Sequence, residues 1–332
     1  MNSTKETALK FRNVILIVSL LVACCGMSHA QKAPSLSLSR LEKIVVRSRT
    51  QAITPRATPP SWLDFDKVRV GLAFVKAHDA FIRQVLGTSS LAATFAAKDI
   101  PPVLMQTGRL RTDFSQRMNE TGQLMDGITQ QQDSREEFQT ANLARAYQLG
   151  QLHAGVARKA QEVLHWNRKE RLPLNQQAYA LVLYSFAWWP VEALSATKQI
   201  DPNDVSQELD GWFHLWSVIG YEMGVSEALL PTNYARAKEM VALLRKAQYT
   251  GAGEVLPEGV PVLLGGQVRW LVELAAAHPP TAAKPTPEQL LSGTADSFAQ
   301  IIKLSPGLAE ALRLGNDPAA QLIQDASLPV QK

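Results

Sequence analysis

The feature that most constrains this chain is the stretch from 143 to 231, where apolar residues recur at three- and four-residue steps. Leu149, His153, Val156, Ala160 and Val163 fall on one face of a helix expected over 141–165, with Arg145, Arg158, Lys159 and Glu162 largely on the others. Pro173 and Asn175 mark the next helix start, which runs on through Leu181, Phe186, Trp188 and Trp189 with a kink expected at Pro190. Asp201 followed by Pro202 reads as a cap and a first-turn proline. The helix behind them would bury Val205, Leu209, Trp212, Phe213, Trp216 and Ile219. A chain committed to such helices over its most apolar part has to bury them against one another.

The flanks follow the same period. Val70, Phe74, Ala77, Phe81 and Val85 predict one amphipathic helix over 66–86, closed by Gly87. A short helical run at 91–97 precedes a break at Pro101-Pro102, and a helix from Arg109 either ends at Gly122 or continues in a new direction after it. A polar loop spans 129–135, a helix 232–247, a Gly/Pro-rich loop 251–266 and a further helix 267–277. A linker at 278–287, two short helices at 288–303 and 307–314, and a polar tail at 316–332 complete the chain. No alternating tract and no fixed-period repeat occurs, so the expected fold is all-α, a single multi-helix domain over 61–315. With 46% apolar residues, a substantial core is available.

The first thirty residues bear on the compartment. Lys5, Lys10 and Arg12 precede a ten-residue apolar run from Val14 to Ala23, shorter than the ~20 residues a membrane span needs, which reads as an export signal. Two cleavage readings stand: ordinary removal after Ser28-His29-Ala30, or a lipobox, Leu21-Val22-Ala23-Cys24, in which Cys24 carries lipid. The first gives a periplasmic or secreted protein, the second one anchored to a membrane. Both cysteines, Cys24 and Cys25, lie in this segment, so a chain starting at Gln31 has no disulfide, zinc thiolate or cysteine nucleophile. Residues 31–60, rich in Ser, Arg, Thr and Pro, read as a linker with a short helix around 41–47. From Gln31 onward the net charge is about +2, and no basic cluster interleaved with aromatics appears, so nucleic acid is not expected as a partner.

Five histidines follow the leader: His78, His153, His165, His214 and His278. No HxxxH joins any two, and Glu162-x2-His165 lacks the second copy that a di-iron bundle needs. A phosphate-cradling glycine loop after a strand and a GxSxG elbow are also absent. His153 stands apart because Gly150 and Ala157 flank it on its own face, leaving a flat space suited to a macrocycle ligated by the imidazole. On spacing alone, a hydrogen-bonded core histidine remains the commoner case. His78, beside Phe74 and Phe81, is the rival ligand; His165 and His278 read as solvated, His214 as structural. Arg117 and Thr121, four apart, bring a guanidinium and a hydroxyl to one face, as carboxylates of a porphyrin would require. Trp216-x3-Gly220-x3-Gly224 would let a helix or a flat ligand approach closely.

These elements, taken in order, resemble the catalytic domain shared by the MpaB oxygenases and the latex-clearing rubber oxygenases. The likeness rests on Arg117-x3-Thr121-Gly122, Leu152-His153-Ala154 with Trp166, and Leu172-Pro173-Leu174-Asn175-Gln176. It continues through His214-Leu215-Trp216-x3-Gly220-x3-Gly224-Val225 to Leu229-Leu230-Pro231. The resemblance implies an all-α fold holding haem b, with His153 as the iron ligand and Arg117 and Thr121 positioning the haem. It further implies activation of dioxygen and, in the rubber oxygenases, oxidative cleavage of polyisoprene. Those enzymes carry a lysine just before the threonine and a glutamate upstream; here the first position is Glu120 and the second region reads Ile100-Pro101-Pro102.

The expectation is therefore an exported haem b-dependent oxygenase acting with dioxygen on an apolar, unsaturated small molecule or polymer. Its substrate would lie against the Trp188 and Trp212 helices, with Glu120 as a distal acid or base. The alternative is a non-catalytic helical protein of the same fold that carries haem or lipid.

Overall fold

The computed structural model describes residues 37–277 apart from 252, 253, 256 and 258. The expected leader and lipobox, the start of the linker, His278, the two helices at 288–303 and 307–314 and the polar tail lie outside the described residues. Within them the chain is helical throughout, with no strand and a single isolated bridge between Ala97 and Tyr249. None of the described helices is long and apolar enough to cross a membrane.

The centre of the fold is the helix Gln176–Ala196, most of whose side chains are buried on every face. A helix apolar all round has to be enclosed by others. Asn175 caps it, its side-chain oxygen accepting from Ala178 N at 2.9 Å. Pro190 lies inside the helix without ending it; one turn earlier, the Ala187 carbonyl accepts the Trp212 indole N–H at 2.7 Å. The helix Ser206–Glu222 packs beside it and crosses Phe65–Ala77 at two facing glycines. A Cβ on Gly71 would lie 2.5 Å from the Gly211 carbonyl, and one on Gly211 would lie 2.7 Å from Val70. Only residues without a side chain allow that crossing.

Several expected boundaries shift. The helix expected over 66–86 is two, Phe65–Ala77 and Asp79–Val85, divided at His78. Gly87 does not close it: the helix continues through a π-helical passage, Leu86–Ser90, into Leu91–Phe95. Widening the turn frees carbonyls, and those of Gly87 and Thr88 accept from Gln267 Nε2 at 2.8 and 2.7 Å. Pro101 and Pro102 open a helix, Pro101–Gln106, rather than merely interrupting one. The helix expected from Arg109 is two, Arg109–Thr112 and Phe114–Ile128, and the second neither ends nor breaks at Gly122. Part of the expected loop at 251–266 is helical, because Val260, Leu263 and Leu264 are buried in the first turns of Val260–Ala277.

The stretch read as a linker also packs where it is described. Leu38–Arg47 is a helix burying Leu41 and Val45. The segment after it is stitched into the core: Gln176 N donates to Gln51 O, Thr54 N to Gly224 O and Arg56 N to Glu222 O. Gly224 takes φ +98, and a Cβ there would lie 2.6 Å from Pro55 N, so this glycine both turns the chain and admits the crossing segment. Proline and serine content signalled irregular backbone, but not that the backbone would be buried.

Candidate functional site

The Arg117 helix and the His153 helix are locked together before any side chain meets the site. Ser134 and Glu137 form a capping box, and the chain passes through a π-helical segment, Phe138–Leu143, into Ala144–Leu164. Asn142, fully buried in that passage, donates from Nδ2 to Ile128 O at 2.8 Å and Gln130 O at 2.9 Å. The end of the Arg117 helix is thereby fixed to the start of the His153 helix. The Tyr179 helix is fixed by the Leu172–Gln177 motif: Asn175 donates to buried Asp99, Gln176 to Ala52 O and Gly224 O, and Gln177 to Val45 O. Arg171 and Gln248 also donate to Asp99, at 3.2 and 3.0 Å, and Arg49 stands 3.9 Å from it.

Between these helices lies a cavity of about 350 Å³, a volume suited to a small-molecule site. Its walls are mainly apolar: Leu149, Leu152 and Val156 from the His153 helix, Val182, Leu183 and Phe186 from the central helix, Trp216 and Ile219 from Ser206–Glu222, and Met223 just past its end. Trp188 and Trp212 lie behind this lining, so their helices form the walls through neighbouring residues. His153, Arg117, Thr121 and Glu120 all line the cavity, together with Tyr179 and Arg109.

His153 Nδ1 is 2.7 Å from the Tyr179 hydroxyl, with the rings edge to face. No described hydrogen bond engages Nε2, which is left as the nitrogen available to the cavity. Burial pushes the imidazole pKa down to about 4, and the Arg117 charge adds to the shift, so the ring is neutral at neutral pH. Burial likewise raises the Tyr179 phenol, which stays protonated. Tyr179 is the residue that sequence reading missed: it follows the Asn175-Gln176-Gln177 motif as one apolar-helix aromatic among several.

Arg117 and Thr121 do share a face, but the Thr121 hydroxyl donates to the Arg117 carbonyl at 2.9 Å. It offers the cavity lone pairs unless it rotates. Glu120 is held by Arg109 through two hydrogen bonds of 2.9 and 2.7 Å, with Arg117 at 3.6 Å. The Arg109 bonds hold its carboxyl below the usual carboxylate range. The flat space expected at Gly150 is filled: a Cβ there would lie 2.7 Å from the Met223 carbonyl. Gly220 likewise meets Leu183 and Leu230, and Gly224 meets the 54–55 segment, so these glycines admit protein rather than ligand. Val163 is 48% exposed and belongs to the solvent face.

The other histidines lie elsewhere. His78 packs on Phe74 at the end of Phe65–Ala77 and does not line the cavity. His214 accepts from Asp64 N at 3.0 Å and steadies the start of the same helix. His165 ends the His153 helix with φ +50, exposed to solvent. Among the described residues no three His, Cys, Asp or Glu side chains converge as metal ligands.

Among the described residues, fold and cavity define an all-α protein built around an apolar pocket with a single neutral imidazole in its wall. Residues 69–327 match the family described as ER-bound oxygenase mpaB/B'/rubber oxygenase, catalytic domain, and the chain belongs to that family. No curated protein matches it. Its fold is similar to that of latex clearing protein in the closed state, with a TM-score of 0.57 and 14% sequence identity over 97% of this chain and 82% of that one. At that identity the likeness concerns the fold.

Proposed function

We propose that this protein is a haem b-dependent oxygenase acting on an apolar, unsaturated substrate. The observation that carries the reading is the His153–Tyr179 pair: one neutral imidazole, oriented through Nδ1, presents Nε2 to an apolar cavity. This donor set fits haem, which brings four nitrogen ligands of its own and would ask the protein for one imidazole more. His153 would hold the iron, while the Arg117 guanidinium would meet the haem carboxylates, joined by the Thr121 hydroxyl once it rotates off the Arg117 carbonyl. Bound haem supplies the capacity to bind and activate dioxygen.

The chain's own residues set the conditions. Tyr179 fixes the imidazole's orientation through its hydrogen bond to Nδ1; with the ring proton on Nδ1 and the phenol oxygen accepting it, Nε2 would be the nitrogen left to ligate. Val156, Leu183, Phe186 and Ile219 exclude water and, with Leu152 at the open side, offer a hydrocarbon chain a matching surface. Glu120 is the candidate proton acceptor; its ion pairs keep it as a carboxylate, which can take a proton but holds none to give. In a Glu120→Gln variant, turnover should fall by about 10²-fold or more, the usual scale of lost general-base help. Full activity in that variant would remove the role. Export follows from the leader reading, with the periplasm or the cell exterior as destination and a lipid at Cys24 as the anchored form.

The test is the ultraviolet–visible spectrum of protein made with haem available, beside His153→Ala. A stoichiometric Soret band lost in the variant is expected. A wild type without the band would end the haem reading, and a haem-loaded protein inert to dioxygen would make it a carrier rather than an oxygenase.

A further inference from the structure

The apolar cavity has one charged rim. Among the described lining residues the ionised side chains are Arg109, Arg117 and Glu120, and they sit together. Gly108, at φ +70, turns the chain out of Pro101–Gln106 so that Arg109 faces Glu120 across the rim. Arg109 grips the Glu120 carboxylate with both terminal nitrogens, Nη1 to Oε2 at 2.9 Å and Nη2 to Oε1 at 2.7 Å. Gln116 adds a bond to Oε1 at 3.3 Å, and Arg117 stands 3.6 Å from Oε2. Two guanidiniums and an amide around one carboxylate form a fork-shaped carboxylate site, with one positive charge in excess.

Stability does not account for this arrangement. Arg109 and Glu120 side chains are 45% and 36% exposed, and ion pairs so exposed contribute little to folding. Their place at the edge of a hydrocarbon-lined cavity gives them a use. We propose that the cavity takes a long-chain substrate ending in one carboxylate, and that Arg109 clamps this carboxylate in place of Glu120. Glu120 holds the fork in shape while the cavity is empty and is displaced when the ligand's head arrives. The chain lies along the apolar walls, and displacement frees the Glu120 carboxylate at the rim. The proposal rests on the reading of the cavity as a site for an apolar substrate and narrows it from neutral hydrocarbons to carboxylic acids. Arg117, left for the haem carboxylates, supplies only the more distant contact.

The measurement is calorimetric binding of oleate, methyl oleate and squalene to the haem-loaded and haem-free protein, below the aggregation concentration of each ligand. Oleate should bind about tenfold or more tighter than methyl oleate. Arg109→Gln should abolish that preference and Arg109→Lys restore part of it. Glu120→Gln, which removes the competing carboxylate, should tighten oleate severalfold and leave methyl oleate unchanged, a gain that misfolding cannot imitate. Equal affinities for oleate and methyl oleate, or a preference that survives Arg109→Gln, would overturn the proposal while leaving the apolar-substrate reading intact. A preference present in the haem-free protein and lost on haem loading would assign the fork to the cofactor's carboxylates and also overturn it. Failure of all three ligands to bind would overturn both readings.

Discussion

The Tyr179 hydroxyl and His153 Nδ1 lie 2.7 Å apart, joining the first turn of the central helix to the middle of the helix that passes beside it. The two residues are 26 positions apart in the chain. Both sit in an environment that disfavours charge, so the bond joins a neutral phenol to a neutral imidazole. Tyr179→Phe keeps the ring and removes the bond. Unfolding in urea should show a loss of about 1 kcal/mol, the net scale of one neutral hydrogen bond. Haem affinity should fall by about 10- to 100-fold, as for other outer partners of a ligating histidine. An unchanged haem affinity would mean that packing alone orients His153.

Gly150 precedes His153 by one helical turn and touches the Met223 backbone. In Gly150→Ala the new methyl would lie 2.7 Å from the Met223 carbonyl oxygen, closer than real contacts allow. Helix propensity favours alanine by about 1 kcal/mol. Overpacking against backbone costs about 1–3 kcal/mol, so the variant should be less stable than wild type. The helix that carries His153 must also move away from the cavity wall formed by Ile219 and Met223. Thermal unfolding and haem titration together check this: stabilisation with unchanged haem binding would show that the contact yields easily.

Glu222 is buried with Oε1 unpaired, and burial raises its pKa to about 7 despite the nearby Arg56 charge. In the unfolded chain the group titrates near 4.5. Between these values the folded protein keeps a proton that the unfolded chain gives up, so stability falls as pH rises from about 4.5 to 7. His214 opposes it. Its pKa, pushed down to about 4 by burial first and the Lys67 charge second, makes stability fall as pH drops from 6.5 towards 4. Glu222→Gln should therefore gain about 1–2 kcal/mol over wild type at pH 8 and nothing at pH 4.5. It should also expose a steeper acid-side loss, visible in unfolding curves across pH 4–8.

Much of the helical order was legible in the apolar period, because burial on one face repeats every turn wherever the helix is later placed. Asn175 as a cap and Arg117 with Thr121 on one face are local facts, and local facts can be read from spacing. The continuation through Gly87 was not legible. A π-helical turn survives there because Gln267, 180 positions away, meets its carbonyls. The packed state of residues 38–56 was likewise hidden, since its hydrogen bonds go to Leu172, Gln176, Glu222 and Gly224 rather than to near neighbours.

The sequence by itself determined the helical class and the shared face of Arg117 and Thr121, and it narrowed the candidate imidazole to His153 with His78 as its rival. Helix periodicity and residue chemistry are enough for those. Only the tertiary structure decided that Gly150 admits Met223 rather than a ligand, that Tyr179 orients His153, and that Arg109 closes on Glu120. Each depends on how two helices, distant in the chain, are held against each other. That placement comes from buried polar clamps such as Asn142 and Asp99, whose partners no local spacing specifies.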